Sequence, residues 1–415
     1  MTNRTENVPR MAQTMSRWQA LGLIALAELL VLSVWFSASA VAPTLAKDWK
    51  LDAGQVAALT SSVQIGFVVG ALVSSFSALP DRFSPRRVFT ISSVAAAVMT
   101  AAFASQRDIS VGIALRFGTG VVLAGVYPVA VKLLADWFPT RRGVAVGVLI
   151  AALTLGSALP HLFVSFAAVA WQSVMYLSAG FAVVGALVVA FVLTDAPARG
   201  GTGTAGLSWR ALRQVVFDRP VMLANAGYAG HMWELYAMWT WFPVFLAHSA
   251  VARTAGAAWL VPIVAFGAIG LAGALGCMLA GIYADRLGRT TVTSWAMAIS
   301  GCCCLAIGAV YNVSPVLIII VGAIWGATIV ADSAQFSAAV TELAEPRLVG
   351  TALTFQMAAG FTITFLSINL LGYVAAHDGW QWAFTLLAPG PLIGIIAMQL
   401  LRHDPRSLEM AGGNR

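Results

Sequence analysis

The chain has 415 residues, of which 59% are hydrophobic and 10% charged, and its net charge is +7. Soluble globular chains carry about 25% charged and about 45–50% apolar residues, so a soluble enzyme, a secreted disulfide scaffold and a disordered chain are excluded. The 24 Lys and Arg residues sit in short loops between apolar segments and form no basic stripe, which excludes nucleic acid as the main partner.

A membrane-crossing helix needs about 20 mainly apolar residues. Twelve such runs follow one another, near residues 17–42, 54–78, 88–105, 110–136, 142–166 and 170–194, then 219–247, 254–283, 290–311, 315–341, 349–375 and 378–402. The first follows Arg4, Arg10 and Arg17. It is longer than the 7–15 residues of a signal-peptide core and reads as a retained first span. Residues 195–218 hold Pro197, Gly200, Gly201, Gly203, Gly206 and four arginines, the composition of a flexible polar linker. The expected organisation is an all-α membrane protein: a six-helix bundle over 1–194, a linker over 195–218, a second six-helix bundle over 219–402 and a tail over 403–415. Within the linker, 208–217 is expected to form a short surface helix with Trp209, Leu212, Val215 and Val216 toward lipid.

Lys and Arg accumulate in cytoplasmic loops. With the N-terminus inside, the inside segments hold 18 of them and the outside loops only Lys47, Lys50, Arg107 and Arg253. Both termini and the linker are therefore expected in the cytoplasm. The halves also repeat. Gly66 precedes Asp81-Arg82 as Gly270 precedes Asp285-Arg286, at an offset of 204, and Pro139-x3-Gly143-x-Ala145 matches Pro346-x3-Gly350-x-Ala352 at 207. Duplicated halves around a shared cavity are a construction of secondary transporters.

The loop after the second run reads Pro80-Asp81-Arg82-Phe83-Ser84-Pro85-Arg86-Arg87, and its second-half copy reads Gly281-Ile282-Tyr283-Ala284-Asp285-Arg286-Leu287-Gly288-Arg289. Through these loops, close to G-x3-D-R-x-G-R-R, the chain resembles the major facilitator superfamily along its whole length. Ser77 and Ser84-Pro85 depart from the pattern in the first copy. Span 4 opens with Arg116-Phe117-Gly118-Thr119-Gly120, which looks like the family's R-x3-G motif, and span 5 partly matches its antiporter motif through Gly147, Gly156 and Pro160. The segment Trp233 to Trp239 is also loosely similar to bacterial nitrate/nitrite and cyanate porters. Those hold their anion between arginines on spans 2 and 8; here span 2 offers Gln64 and the run 254–283 has no Lys or Arg, so nitrate itself is not expected.

An ionisable group at the centre of a span costs on the order of 2.5–3.5 kcal/mol by insertion scales, so each is a functional candidate. Glu28 lies about 16 Å from the inner edge and Arg116 about 12 Å from the outer edge, counting 1.5 Å per residue. An exchangeable Glu28–Arg116 pair across the cavity is therefore expected. In the second half His231 and Glu234 share one face of span 7, and Asp332 lies at similar depth on span 10. Glu234 or Asp332 is expected to carry the proton, with Glu28 held ionised by Arg116. Gln64, Gln335 and Gln356 are candidate solute contacts. Lys132 is expected to snorkel to the inner face and His161 to lie near the outer surface. Trp35, Trp233, Trp239, Trp241 and Trp325 lie deep enough to wall a cavity or to fill the core. The resemblance adds a cytoplasmic gate of Asp81, Arg82, Arg86, Arg87, Asp285, Arg286 and Arg289.

Cys277 and the run Cys302, Cys303, Cys304 show no metal-ligand spacing, and no G-x4-G-K-[ST] or H-E-x-x-H occurs. No metal, cofactor, ATP-driven step or enzymatic activity is expected. The reading is a proton-coupled secondary transporter for a small solute, a monomer in the inner membrane of a bacterium, working by alternating access. Uptake of small organic or inorganic anions and drug/proton antiport remain open within it, and a receptor or scaffold on a transporter fold is the non-transport alternative.

Overall fold

Backbone groups that meet no water must be satisfied within the chain, which favours helices across a bilayer. The structure, a computed structural model, describes residues 15–77, 82–138, 142–165, 170–196, 209–253 and 259–414. Among them are helices and turns and no strand.

Twelve helical passes form two bundles. In the first, span 1 is Arg17–Leu32 continued by Ser37–Ala40 and Ala42–Asp48, span 2 Ala53–Ser77, span 3 Pro85–Ala104, span 4 Ile109–Leu123 and Tyr127–Trp137, span 5 Arg142–Ser165, and span 6 Trp171–Leu187 with a π-helical turn, Val188–Val192. In the second, span 7 is Arg219–His248, span 8 Leu260–Phe266 and Gly273–Leu287 around a π-helical stretch, span 9 Arg289–Val310, span 10 Pro315–Ala331 and Ser333–Leu343, span 11 Val349–Asp378, and span 12 Ala383–Leu387 and Pro389–Arg402. Ten of these passes are long and apolar enough as continuous runs to cross a membrane. Span 1 falls short because its first helix stops after 16 residues, and span 7 because Asn225, His231 and Glu234 interrupt its apolar run.

Successive passes alternate in direction, so the start of span 1, the 2–3, 4–5, 6–7, 8–9 and 10–11 connections and the end of span 12 share one face, the terminal face. Span 2 packs on span 11 and span 5 on span 8, joining the bundles. The repeat runs at an offset of 206 residues inside the spans, relating Glu28 to Glu234, Gly70 to Gly276 and Gly120 to Gly326. Two of these glycines set the helix spacing. A Cβ on Gly120 would overlap the Val63 carbonyl of span 2, and one on Gly326 would overlap the Ala268 carbonyl of span 8. Such close backbone approach is how helices associate where no hydrophobic effect drives them.

The two Asp-Arg loops turn by different means. Gly288, at φ +90°, makes the turn into span 9, whereas Ser84 is extended (φ −56°, ψ 124°) and Pro85 opens span 3. The expected surface helix is present as Trp209–Phe217; Ser208 and the rest of the linker from 197 lie outside the described residues. Trp209 and Val216 are exposed as expected, but Val215 is buried, because this helix packs on spans 7 and 11. After span 12 the tail folds back on the terminal face. Arg406 donates to both carboxylate oxygens of Asp218, each at 3.0 Å, to Glu409 and to the Leu343 carbonyl. The Ala411 N–H donates to Glu342 at 3.1 Å and Asn414 to the Asp285 carbonyl at 2.9 Å.

Candidate functional site

Span 1 unwinds at Ser33–Phe36, which frees carbonyls that an intact helix would satisfy. Arg116 of span 4, fully buried, answers them. Its guanidinium donates to the carbonyls of Val34 (2.9 Å) and Trp35, to Ser37 Oγ (3.4 Å), and to the Leu59 carbonyl of span 2 (3.4 Å). The Trp35 indole donates to Gln64 Oε1 at 3.1 Å, tying the same turn to span 2.

The expected Glu28–Arg116 pair is not formed. Glu28 is fully buried, yet neither carboxylate oxygen has a hydrogen-bond partner. The reason is directional. Side chains lean toward the N-terminus of their own helix, and spans 1 and 4 are antiparallel. From similar Cα depth, Glu28 leans toward the terminal face and Arg116 toward the opposite one. The Tyr127 phenol, at the start of the second segment of span 4, is within charge reach of Glu28.

The second half brings its candidates together. Asp332 sits at the break of span 10, and its Oδ1 lies 2.8 Å from His231 Nδ1. Ser333 Oγ is 2.8 Å from His231 Nε2. Glu234 is enclosed inside the bundle by three donors: Ser300 Oγ (2.9 Å), Cys304 Sγ (3.0 Å) and Trp325 Nε1 (2.5 Å). Glu28 and Glu234 are equivalent in the repeat and opposite in environment. Gln356 accepts from Ser337 at 3.2 Å and donates to the Phe336 carbonyl, so it joins span 10 to span 11.

Between the bundles, on the terminal-face side, lies a cavity of about 720 Å³ with walls from both halves, including Tyr127, Lys132, Gln335 and Thr354. Lys132 thus belongs to the cavity wall and not only to the membrane edge. Among the other candidates, Asp285 and Arg289 line this cavity, whereas Glu28, Arg116, His231, Glu234, Asp332, Gln64 and Gln356 do not. Toward the opposite face an aromatic plug fills the space between the bundles. Trp35 and Phe36 of the span 1 turn, with Phe67, meet Tyr236 and Trp239 of span 7 and Phe361 of span 11. Ring centroids are 5.7 Å apart for Trp35–Phe361, 5.7 Å for Phe36–Trp239 and 4.6 Å for Phe67–Phe361. Trp35 and Trp239 are therefore buried within this plug. Trp241 and Trp233 bond the carbonyls of Ile368 (2.8 Å) and Leu386 (3.2 Å).

The loop residues make contacts within bundles. Arg289 binds Glu342 through two hydrogen bonds of 2.6 and 2.7 Å, donates to Gln335 at 2.7 Å and lies 3.5 Å from Asp285. Glu342, absent from the candidate set, is thus the anchor of the second loop. In the first half Arg86 reaches Asp195 (3.2 Å) and the Val189 and Ala190 carbonyls at the end of span 6. Arg82, Arg87 and Arg286 are exposed, and Asp81 lies outside the described residues. His161, expected near the surface, is 2% exposed: it packs inside the outer end of span 5.

The Major Facilitator Superfamily sequence model matches residues 24–366 and 257–413. The 4-hydroxybenzoate transporter PcaK of Acinetobacter baylyi is 30% identical over 158 residues, 37% of this chain and 34% of that protein. The probable sulfoacetate transporter SauU of Cupriavidus necator is 24% identical over 276 residues, 61% of each. The nitrate/nitrite transporter NrtP of Picosynechococcus sp. is 27% identical over 138 residues, 32% of this chain and 24% of that protein. The chain thus spans between a quarter and three-fifths of the lengths of these relatives. The crystal structure of the nucleoside transporter NupG (D323A mutant) superposes with a TM-score of 0.71 at 15% identity, covering 92% of this chain and 99% of that one, which is a likeness of fold. With duplicated six-helix bundles, a cavity between them and a family match along nearly its whole length, the chain belongs to the Major Facilitator Superfamily.

Proposed function

We propose that this protein is a proton-coupled secondary transporter that moves a small organic anion across the inner membrane of a bacterium by alternating access, with its terminal face in the cytoplasm. The observation that carries the reading is the cavity between the bundles, bounded toward the opposite face by the aromatic plug. A solute reaches such a cavity from one side, and the plug residues belong to both bundles, so rocking the bundles separates them and opens the other side.

The wall supports an anion with an apolar body. Lys132 and Tyr127 both stand in the wall, and Val131, Leu353 and Met357 supply apolar surface. Two of the relatives are named for 4-hydroxybenzoate and sulfoacetate, both organic anions at neutral pH. The test is uptake into proteoliposomes under an inward proton gradient, using labelled 4-hydroxybenzoate, sulfoacetate, nitrate and one organic cation. We expect accumulation of at least one organic anion, collapse of that accumulation by a protonophore, and a raised KM in Lys132→Ala. Accumulation of the cation alone, or of no solute under any gradient, overturns the reading.

A further inference from the structure

We propose that the outward face of the linker helix, Trp209–Phe217, is a binding site for anionic phospholipid headgroups in the leaflet at the terminal face. The inference rests on the membrane-spanning fold and not on the identity of any solute.

The helix reads Trp-Arg-Ala-Leu-Arg-Gln-Val-Val-Phe and contains no acid. Its inner face is Val215, buried where the helix packs on spans 7 and 11, with Ala211 and Leu212 half-buried beside it. The opposite face carries Trp209, Arg213 and Phe217, which are spaced four residues apart and so form one stripe. Arg210 and Val216 flank that stripe. Trp209 is 80% exposed and Phe217 77%, and both arginines are exposed. A helix folded for water would turn its largest rings inward; this one turns them away from the protein.

The rings alone suit any bilayer rim, and the arginines narrow the partner. Arg213 lies over the Phe217 ring, its guanidinium carbon 5.7 Å from the centroid. Stacking uses the face of a guanidinium and leaves its edge N–H donors free for a phosphate. No described residue forms a hydrogen bond or ion pair with the guanidinium of Arg210, of Arg213 or of Arg219, the exposed first residue of span 7. Asp218, the acid beside them in the chain, already holds Arg406. Three cations between 210 and 219 thus lack a counter-charge. A zwitterionic lipid brings its own cation to its phosphate, whereas an anionic one leaves its charge for the arginines.

The depth of the helix fits the same partner. Phe217 directly precedes Asp218, whose carboxylate caps span 7 by accepting from the Val221 N–H at 3.4 Å, so the helix ends where span 7 enters the hydrocarbon. Phe76 and Phe191 expose their rings at the terminal-face ends of spans 2 and 6 and mark the same rim. At that level rings reach the upper acyl chains while arginine edges reach phosphate. A soluble protein docked here would have to cover two large rings at a rim that the bilayer occupies. The linker joins the two bundles, so lipid held on this helix keeps one end of the connection against the second bundle.

The test places the full chain in nanodiscs of mixed phosphatidylcholine and phosphatidylglycerol, with brominated acyl chains on one lipid or the other to quench nearby indoles. The quenching that belongs to Trp209 is the difference between the wild type and Trp209→Phe. Brominated phosphatidylglycerol should quench Trp209 more than brominated phosphatidylcholine, and the excess should shrink as NaCl is raised. Each arginine beside an anionic surface enriches it about fivefold, so Arg210→Gln with Arg213→Gln should cut the excess at least about fivefold, and Arg210→Lys with Arg213→Lys should keep most of it. Equal quenching by the two lipids marks an ordinary membrane rim, and no quenching by either marks a protein-docking face. An excess that survives the loss of both arginines puts the anionic lipid elsewhere. Each of these results overturns the proposal. Native mass spectrometry of the wild type gives a second measurement that needs no variant: phosphatidylglycerol should stay bound at energies that strip phosphatidylcholine, and equal stripping counts against the site. No solute enters either experiment, so failure of the transport reading and failure of the lipid site are told apart.

Discussion

Arg116→Met tests whether Arg116 is a clasp on the span 1 turn or one half of an ion pair. In the structure the Val34 carbonyl keeps a second donor, Ser37 Oγ at 2.9 Å, when Arg116 is removed. The Trp35 carbonyl loses the donor it has. One buried acceptor left unsatisfied costs about 1–3 kcal/mol, so that is the expected destabilisation. An ion-pair reading gives a different number, because removing one partner of a buried pair strands the other charge at about 3–5 kcal/mol. The readings separate most sharply in the double mutant. Residues without shared partners add within about 0.3–0.5 kcal/mol, so Glu28→Gln should shift the midpoint in the Arg116→Met background by the same amount as it does in the wild type. The assay is the unfolding midpoint of detergent-purified protein followed by tryptophan fluorescence, with denaturant titration to convert midpoints to free energies. A recovery by Glu28→Gln in the Arg116→Met background that exceeds its effect in the wild type by more than about 1 kcal/mol refutes the clasp.

Gly120→Leu and Gly326→Leu should each reduce the folded yield and cost at least about 1–3 kcal/mol by overpacking, whereas Gly147→Ala, whose added Cβ meets nothing within 4 Å, should be neutral or slightly stabilising in the same melt. Phe361→Ala removes ring contacts with Trp35, Phe67 and Tyr236, each worth about 0.5–1.5 kcal/mol; in a cysteine-free background, a cysteine at Ser39 should become at least tenfold more reactive to an impermeant maleimide, and an unchanged rate removes the plug from the gate. Glu342→Gln leaves Arg289 with a neutral partner and should raise the exchange rate of bundle-spanning spin labels, measured by pulsed electron resonance; identical distance distributions refute a role for this cluster in setting the conformer. Arg406→Ala should expose the tail to limited proteolysis while moving the unfolding midpoint by no more than about 1 kcal/mol, as half-exposed ion pairs do.

Composition made the twelve passes legible, since apolar runs of that length have few other uses. The break in span 1 was not legible. Ser33–Phe36 belongs to an unbroken apolar run, and its cause, a guanidinium arriving from residue 116, is remote in sequence. The loops advertised the repeat at offsets of 204 and 207, which differ because loop lengths differ, while Gly70/Gly276 and Glu28/Glu234 carry the offset of 206 in the packed interior. Depth counting put Glu28 and Arg116 level and placed them in contact. It located the Cα atoms well and ignored the lean of two antiparallel side chains. It served His231 and Asp332 better, since both approach the same break in span 10. Nothing in the sequence around Glu342 marks it as a partner for the second loop, and only its meeting with Arg289 gives it significance.

The docked tail also bears on biogenesis. Arg406 bridges Asp218, at the entrance of span 7, to Leu343, at the exit of span 10, and Ala411 and Asn414 reach Glu342 and Asp285 from behind span 12. None of these bonds can form until all six spans of the second bundle have left the ribosome and entered the bilayer. During synthesis the Arg289–Glu342 cluster therefore stands without its backing strap, and the strap closes as a final seal on a finished bundle. A chain cut short after span 12, without residues 406–414, would have every span inserted and an unclasped terminal face, a distinction open to membrane quality-control proteases.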